Sequence, residues 1–351
     1  MRIYFYHTEN TQYIYGEWEK GNFPGHFLYG ATHLIDHGIE MIMHKHRDFS
    51  NRFVAALYVL FQILKNYRKI DAVYATHYKY LEIVIFLRAL KLFGKPIVIW
   101  HHQPIITPHK KWREWLGRLF YCGIDDMFFF SQKLYDDSLK TKKARTERMH
   151  VGHWGADLDF YSRIMREHPV ANHKGFISTG RERRDMKTLV GAFNQSDAPL
   201  DIYLNKSNCG INYENMFRDM EVHDNVKVHF MSGYQQANLS TKVYSSACVV
   251  ICCLETKYTV GLTTVVEALA FGLPVICSRN PQIPIDFDKD GCGISVPYYD
   301  VEGWVKAIRY IQEHPDEAQQ MGMRARQLAE QMYNDRRCAE EVAQVLKKYE
   351  R

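Results

Sequence analysis

Apolar positions in the first half of the chain come in short blocks of two kinds. Arg2–Tyr6, Ile39–Met43, Asp71–Ala75, Pro96–Trp100, Asp126–Phe130 and Met149–Gly152 are compact runs rich in β-branched and aromatic residues, and they predict strands. Between them His26–Asp36, Arg52–Tyr67, Tyr80–Leu92, Trp112–Tyr121 and Gln132–Leu139 space their apolar residues three and four apart and predict helices. The stretch His7–Gly25 reads as a long loop after the first strand. Repeated strand–helix units imply a parallel sheet covered on both faces. After a polar segment over 153–172 the alternation restarts with strands at Gly175–Thr179, Leu200–Leu204, Val226–Phe230 and Cys248–Cys253. Helices are predicted over Met186–Asn194, Val301–Glu313, Pro315–Met332 and Arg337–Tyr349. The expected architecture is α/β, with two Rossmann-like domains facing across a cleft. Ligands of such folds bind at the carboxyl ends of the strands. The expected domains are 1–160 and 161–332, followed by a terminal helix over 333–351.

One segment carries more chemistry than the rest. Ala247–Leu254 is a continuous apolar run, as in a strand buried on both faces, and Tyr258–Ser278 reads YTVGLTTVVEALAFGLPVICS. Thr259, Gly261, Leu262, Thr263 and Thr264 form a Gly/Thr loop that opens a helix, and Gly272–Pro274 ends it. A helix start at a strand's carboxyl end presents open N–H groups and the positive end of the helix dipole, which suits a phosphate or pyrophosphate. The plainer reading is a helix start with hydroxyl caps. Glu267 favours the ligand site, because a carboxylate inside an apolar helix needs a partner, and a ribose can supply one.

Composition narrows the class. A chain of 351 residues that is 46% apolar and 14% aromatic has enough material for two packed cores. No window has the length of uncharged apolar sequence that a membrane span needs, and a strand-like start argues against a secretory leader. A cytoplasmic protein is expected. The eight cysteines form no C-x-x-C pair and read as buried free thiols. Charge is uneven: residues 1–155 hold 22 Lys+Arg against 14 Asp+Glu, whereas the remainder holds 23 against 26. Twelve of the 17 histidines also lie in the first part. A basic first half points to an anionic partner, either acidic lipid or a phosphorylated acceptor. No nucleic-acid module is visible, so nucleic acid is not expected. His109–Tyr121 mixes Lys110, Lys111, Arg113 and Arg118 with Trp112, Trp115, Leu116, Leu119 and Phe120. Its two readings are a basic amphipathic helix on the inner face of a membrane and an ordinary helix packed on its sheet.

Four segments together resemble the GT-B glycosyltransferases of the family-four kind, which use nucleotide-sugar donors. GLTTVVEALAFGLPVICS is similar to that family's donor-site signature. GHWGADLDFY resembles the close of its first domain, STGRERRDMKTLVGAF the opening of its second, and HPDEAQQMGMRARQLAEQ its terminal helices. The resemblance implies that the last helix crosses back to the first domain. It also implies sugar transfer to a glycan or lipid-linked acceptor in polysaccharide or glycolipid synthesis, retaining and metal-independent, with a UDP- or GDP-sugar as substrate and no further cofactor. A GT-B epimerase, a phosphorylase and a non-catalytic nucleotide-sugar binder are the alternatives. One departure stands out. The family commonly has two glutamates separated by seven residues; Glu267 matches the second, and Thr259 occupies the place of the first, with Glu255 a weak substitute.

The site residues follow from this reading. A departing diphosphate needs fixed positive charge, and Arg184 and Lys187 are the leading candidates, with Arg181 next. The plainer reading of RERRDMK is a solvated loop. His102 is expected near the reacting centre, as a hydrogen-bond donor to the sugar or in general-base assistance, and His101 beside it as an acceptor contact or a packed histidine. Tyr13, Tyr15 and Trp18 are expected to stack on an acceptor sugar. Gly25 resembles a family glycine that lets its loop approach the diphosphate, and His26 stands where a second glycine is usual.

Overall fold

The structure is a computed structural model that describes residues 1–180, 182–208, 210–231 and 236–350. The chain forms two compact units: Met1–Gly155 together with the segment from Asp335 onward, and Ala156–Asn334.

The first unit holds strands β1 (Arg2–Tyr6), β2 (Glu40–Met43), β3 (Ala72–Ala75), β4 (Ile97–His101), β5 (Asp126–Phe129) and β6 (Met149–Val151). Its helices are α1 (Thr11–Glu19), α2 (Arg52–Asn66), α3 (Glu82–Ala89), α4 (Lys111–Cys122) and α5 (Gln132–Leu139). The strands pair in parallel in the order β2-β1-β3-β4-β5-β6. β1, β3, β4 and β5 are almost wholly buried, which explains their uninterrupted apolar sequences. From β1 the chain steps one way to β2 and then builds the other way from β3, so the strand order reverses between β1 and β3.

Two expectations are corrected here. The stretch His7–Gly25 contains α1, whose N-cap Asn10 accepts the Tyr13 N–H and whose Ile14 is buried. The helix expected over His26–Asp36 is two 3-10 turns, Gly25–Leu28 and Ala31–His37, broken by left-handed Tyr29 and Gly30. The break has a packing cause: a Cβ on Gly30 would lie 2.8 Å from the Ala339 backbone.

The second unit begins with α6 (Leu158–Glu167), inside the segment read as polar, where Phe160, Tyr161 and Ile164 supply a narrow buried stripe. There follow β7 (Phe176–Ser178), α7 (Met186–Ser196), β8 (Leu200–Asn205), the ribbon β9 (Ser207–Asn208) and β10 (Ile211–Asn212), α8 (Tyr213–Arg218) and β11 (Val226–Met231). Next come α9 (Gln236–Ser245), β12 (Cys248–Ile251), α10 (Leu262–Phe271), β13 (Val275–Ser278), β14 (Gly293–Val296), α11 (Val301–Glu313) and α12 (Pro315–Gln331). The sheet is parallel, in the order β11-β8-β7-β12-β13-β14. Its order reverses between β7 and β12, so the loops that leave these two strands are neighbours at one sheet edge. The last helix, α13 (Asp335–Lys347), belongs to the first unit. It buries Cys338, Ala339, Val342 and Leu346, and its Asp335 lies 3.0 Å from His33.

Candidate functional site

In the second unit the reversal point brings together the loop after β7 and the Gly/Thr loop before α10, where open α/β sheets bind their ligands. The loops are stitched along their length. Asp185 N–H donates to the Cys252 carbonyl at 3.0 Å, Leu254 N–H to the Arg183 carbonyl at 2.8 Å, and the Tyr258 hydroxyl to the Glu182 carboxylate at 2.8 Å.

Arg184 stands at the centre, with only 3% of its surface exposed. Its five guanidinium N–H groups all have acceptors. Nε and Nη2 donate to the Thr179 carbonyl, Nη1 to the Glu182 carbonyl and Cys253 Sγ, and Nη2 also to Thr264 Oγ1 at 3.3 Å. Among the described residues no carboxylate forms an ion pair with it. Gly180 permits this seat: its φ is +112°, and a Cβ there would fall 1.9 Å from Nη2. Gly261, with φ +93°, is the N-cap of α10, and no side chain caps that helix. The first-turn N–H groups of Leu262, Thr263 and Thr264 therefore face a buried cation. A cation at the positive end of a helix is unfavourable alone, and an anion between them relieves it.

Glu267, in the second turn of α10, is also 3% exposed. The Ser240 hydroxyl on α9 donates to its Oε1 at 2.5 Å. Burial raises its carboxyl to about 7, opposed by the Ser240 bond. The other expected donor residues are spread more widely. Thr259 is half-buried in the loop, and Lys187 is exposed on the first turn of α7. Arg181 lies outside the described residues. Glu255 is exposed, with its N–H near the Tyr299 hydroxyl. Ser240, Thr179 and Gly180 were not singled out by the sequence: Ser240 sits in no motif, and Gly180 shows its purpose only against Arg184.

The first unit has its own reversal point, and histidines gather there. His7 follows β1, His77 follows β3, and His101 and His102 end β4. The His77 and His102 rings are 5.2 Å apart, and Tyr29 packs near both His7 and His102. His102 Nε2 is 2.8 Å from the Thr76 carbonyl, to which it donates. His101 is buried. Its Nδ1 donates to the Gln103 carbonyl at 2.5 Å, its Nε2 accepts from the Tyr121 hydroxyl at 2.9 Å, and burial lowers it to about 4. The pair HH thus divides into a packed ring and a half-exposed one. Burial, followed by repulsion from His102, lowers His7 and His77 to about 3 each. Tyr13 is exposed on α1, and Tyr15 packs on Trp18 at 5.2 Å. Gly25 lies beneath Trp18, where a Cβ would come within 2.9 Å of the indole nitrogen. The His26 ring is buried against Phe27 and Trp154. Among the described residues no group of three or more His, Cys, Asp or Glu is arranged to hold a metal ion, and no helix is long and apolar enough to cross a membrane.

Comparison with known proteins agrees with this fold. Residues 176–328 match the family described as glycosyl transferases group 1. No curated protein sequence is significantly similar to the chain. Solved structures that resemble it include HepE of Anabaena in complex with UDP, 14% identical over 99% of this chain and 100% of that one, with a TM-score of 0.67. Sucrose-phosphate synthase from Thermosynechococcus elongatus is 14% identical over 99% and 98% of the two chains, with a TM-score of 0.73. The α,α-trehalose 6-phosphate synthase from Burkholderia multivorans is 10% identical over 99% and 98%, with a TM-score of 0.68. At such identities the likeness is one of fold, and that fold is GT-B.

Proposed function

We propose, from the premise that this chain is a glycosyltransferase with a group 1 domain over residues 176–328, that it moves a sugar from a UDP- or GDP-sugar to a glycan or lipid-linked acceptor in cell-surface polysaccharide or glycolipid synthesis. The observation that carries the reading is the buried Arg184 guanidinium, without a carboxylate partner among the described residues, at the uncapped start of α10. A diphosphate supplies the missing negative charge, and its charge grows as the bond to the anomeric carbon breaks. That is when preorganised donors contribute most. In this reading Glu267 takes the ribose hydroxyls, the loop Thr259–Thr264 follows the diphosphate, and Lys187 swings in from the surface. Support for the donor class comes from HepE, solved with UDP and with UDP-glucose.

His102 lies near the transferred sugar in this reading, and Tyr13 and Trp18 bind the acceptor. The transfer is retaining and needs no metal ion. The protein works at the cytoplasmic face of a membrane, which it touches through α4. Trp112 and Trp115 there are 59% and 65% exposed, whereas Phe120 and Tyr121 at the other end of the helix pack inward.

The test is a panel of UDP- and GDP-sugars, with and without glycan and lipid-linked acceptors, with and without EDTA. Product anomers are read by NMR. Transfer that survives EDTA and keeps the donor's anomeric configuration is expected. A donor sugar epimerised without acceptor, or binding of every donor with no turnover, would overturn the reading.

A further inference from the structure

A cavity of about 580 Å³ opens at the other end of the first unit's sheet, where β4, β5 and β6 begin. It lies at the opposite end of the strands from the edge that carries His77 and His102, and Tyr121 in its lining reaches toward that edge to bond His101. Its wall is strongly basic: Arg88 and Lys91 come from the end of α3 and the turn after it, Lys143, Arg145 and Arg148 from the segment before β6. Asp125 is the one acid in the lining, and Arg88 already engages it in a bidentate pair at 2.8 and 3.0 Å. Lys143 is paired with Glu114 at 2.7 Å. Lys91, Arg145 and Arg148 have no carboxylate partner among the described residues. Exposed Glu147 lines the neighbouring groove beside Arg145 without an ion pair to it.

The backbone at the lip adds a second observation. Lys91 follows α3 with φ +62°, the left-handed position that glycine usually takes after a helix. A lysine placed there carries a conformational cost that glycine would avoid. Leu90 and Leu92 flank it, 55% and 73% exposed. An apolar–cation–apolar lip above a basic cavity matches the boundary between acyl chains and headgroups.

We propose that this cavity is a binding site for a phosphate-bearing group, separate from the donor site, with Lys91, Arg145 and Arg148 as its ligands. The group comes either from an anionic lipid headgroup or from a soluble phosphate ester. The lipid source rests on the membrane contact proposed above; the phosphate chemistry does not.

Cys122 lines the cavity and is the exposed cysteine among those described, so its alkylation reports on this site and not on the donor site. The full chain is treated with a maleimide, and Cys122 labelling is followed by peptide mass spectrometry. The additions are inorganic phosphate, phosphatidylcholine vesicles, or phosphatidylcholine vesicles with 30% phosphatidylglycerol, all at matched ionic strength. Slower labelling with phosphatidylglycerol vesicles alone assigns a headgroup site. Slower labelling with phosphate alone assigns a soluble ester, and slowing by both assigns the shared chemistry. Unchanged labelling in every arm overturns the proposal.

Arg145→Glu with Arg148→Glu should abolish protection and weaken phosphatidylglycerol-vesicle binding about tenfold or more, because basic residues near an anionic surface each add to the attraction. Lys91→Gly, which suits the backbone, should reduce protection without loss of thermal stability. If vesicle binding survives these changes but is lost with Lys110→Glu, Lys111→Glu and Arg113→Glu together, the membrane contact stands and the cavity is not its headgroup site. If wild type binds no vesicles yet phosphate protects Cys122, the membrane contact fails and the anion site stands.

Discussion

Arg184 donates to Thr264 Oγ1 across 80 residues of sequence, and this bond seats a buried cation against the first turn of α10. The guanidinium thus lies beside the uncapped start of α10. The unliganded arrangement is held by neutral acceptors alone, and a bound diphosphate provides its counter-charge.

Arg184→Ala removes that cation and five hydrogen bonds, and turnover is expected to fall about a hundredfold or more. Lys187 is exposed, so Lys187→Ala is expected to raise the donor KM more than it lowers kcat. Steady-state kinetics on both variants checks the order. Turnover within a few-fold of wild type for both would mean that the Arg184 guanidinium holds the two loops together and does not act on a diphosphate.

Gly180→Ala changes no charge, yet its methyl group would occupy the place of Arg184 Nη2. It should weaken nucleotide binding, and Arg184→Ala should weaken it likewise. Calorimetric titration with UDP and GDP reads the effect. Normal affinity in the alanine variant would show that the guanidinium's position is immaterial.

Glu267 couples binding to pH. Its folded pKa of about 7 lies above the ordinary 4.5, so its neutral form stabilises the fold fully below pH 4.5. That contribution is lost as pH rises through 7, up to about 3 kcal/mol by linkage. Glu267→Gln should therefore be more stable than wild type at pH 8 and equal to it near pH 4. It should also bind nucleotide more weakly, because a ribose prefers the carboxylate. In wild type, nucleotide affinity is expected to rise between pH 6 and 8. Melting curves and titrations across that range supply both readings.

The first unit should be acid-labile. Burial lowers His7, His26 and His77 to about 3 and His44 and His101 to about 4, against an ordinary 6.5. The stability held by these neutral rings is complete above pH 6.5 and is lost as pH falls toward 4. Each contributes up to about 1.4 kcal/mol per pH unit in that window. Unfolding at pH 5 should take up several protons, measurable from the pH dependence of the urea midpoint. A flat profile between pH 7 and 5 would mean that the rings are solvated.

What the sequence revealed follows from how much of each feature is local. β4 and β12 are buried on both faces and read as apolar runs. The ends of α11 are legible to the residue because Asp300 caps its start and Pro315 follows its end. α1, α6 and β14 are not legible: each buries only two or three residues or has Gly and Asp beside it, so no period stands out. Glu267 was visible as a carboxylate inside an apolar helix. The acceptors of Arg184 were not, since Thr179, Glu182, Cys253 and Thr264 meet only where two strands diverge. His101 and His102 look alike as letters; the hydroxyl of Tyr121, 20 residues away, separates them.

The place of α13 bears on the order in which the molecule is made. Ala156 pairs with Asn334, so the ends of the second unit lie side by side, and that unit is an insertion before the last helix of the first. A ribosome delivers every residue of the second unit before it delivers α13. Until then the surface around Gly30 and His33 has no cover, however long ago its strands emerged. The first unit, though begun earlier, is completed later, and a nascent chain stalled before Asp335 would carry a finished second unit beside an open one.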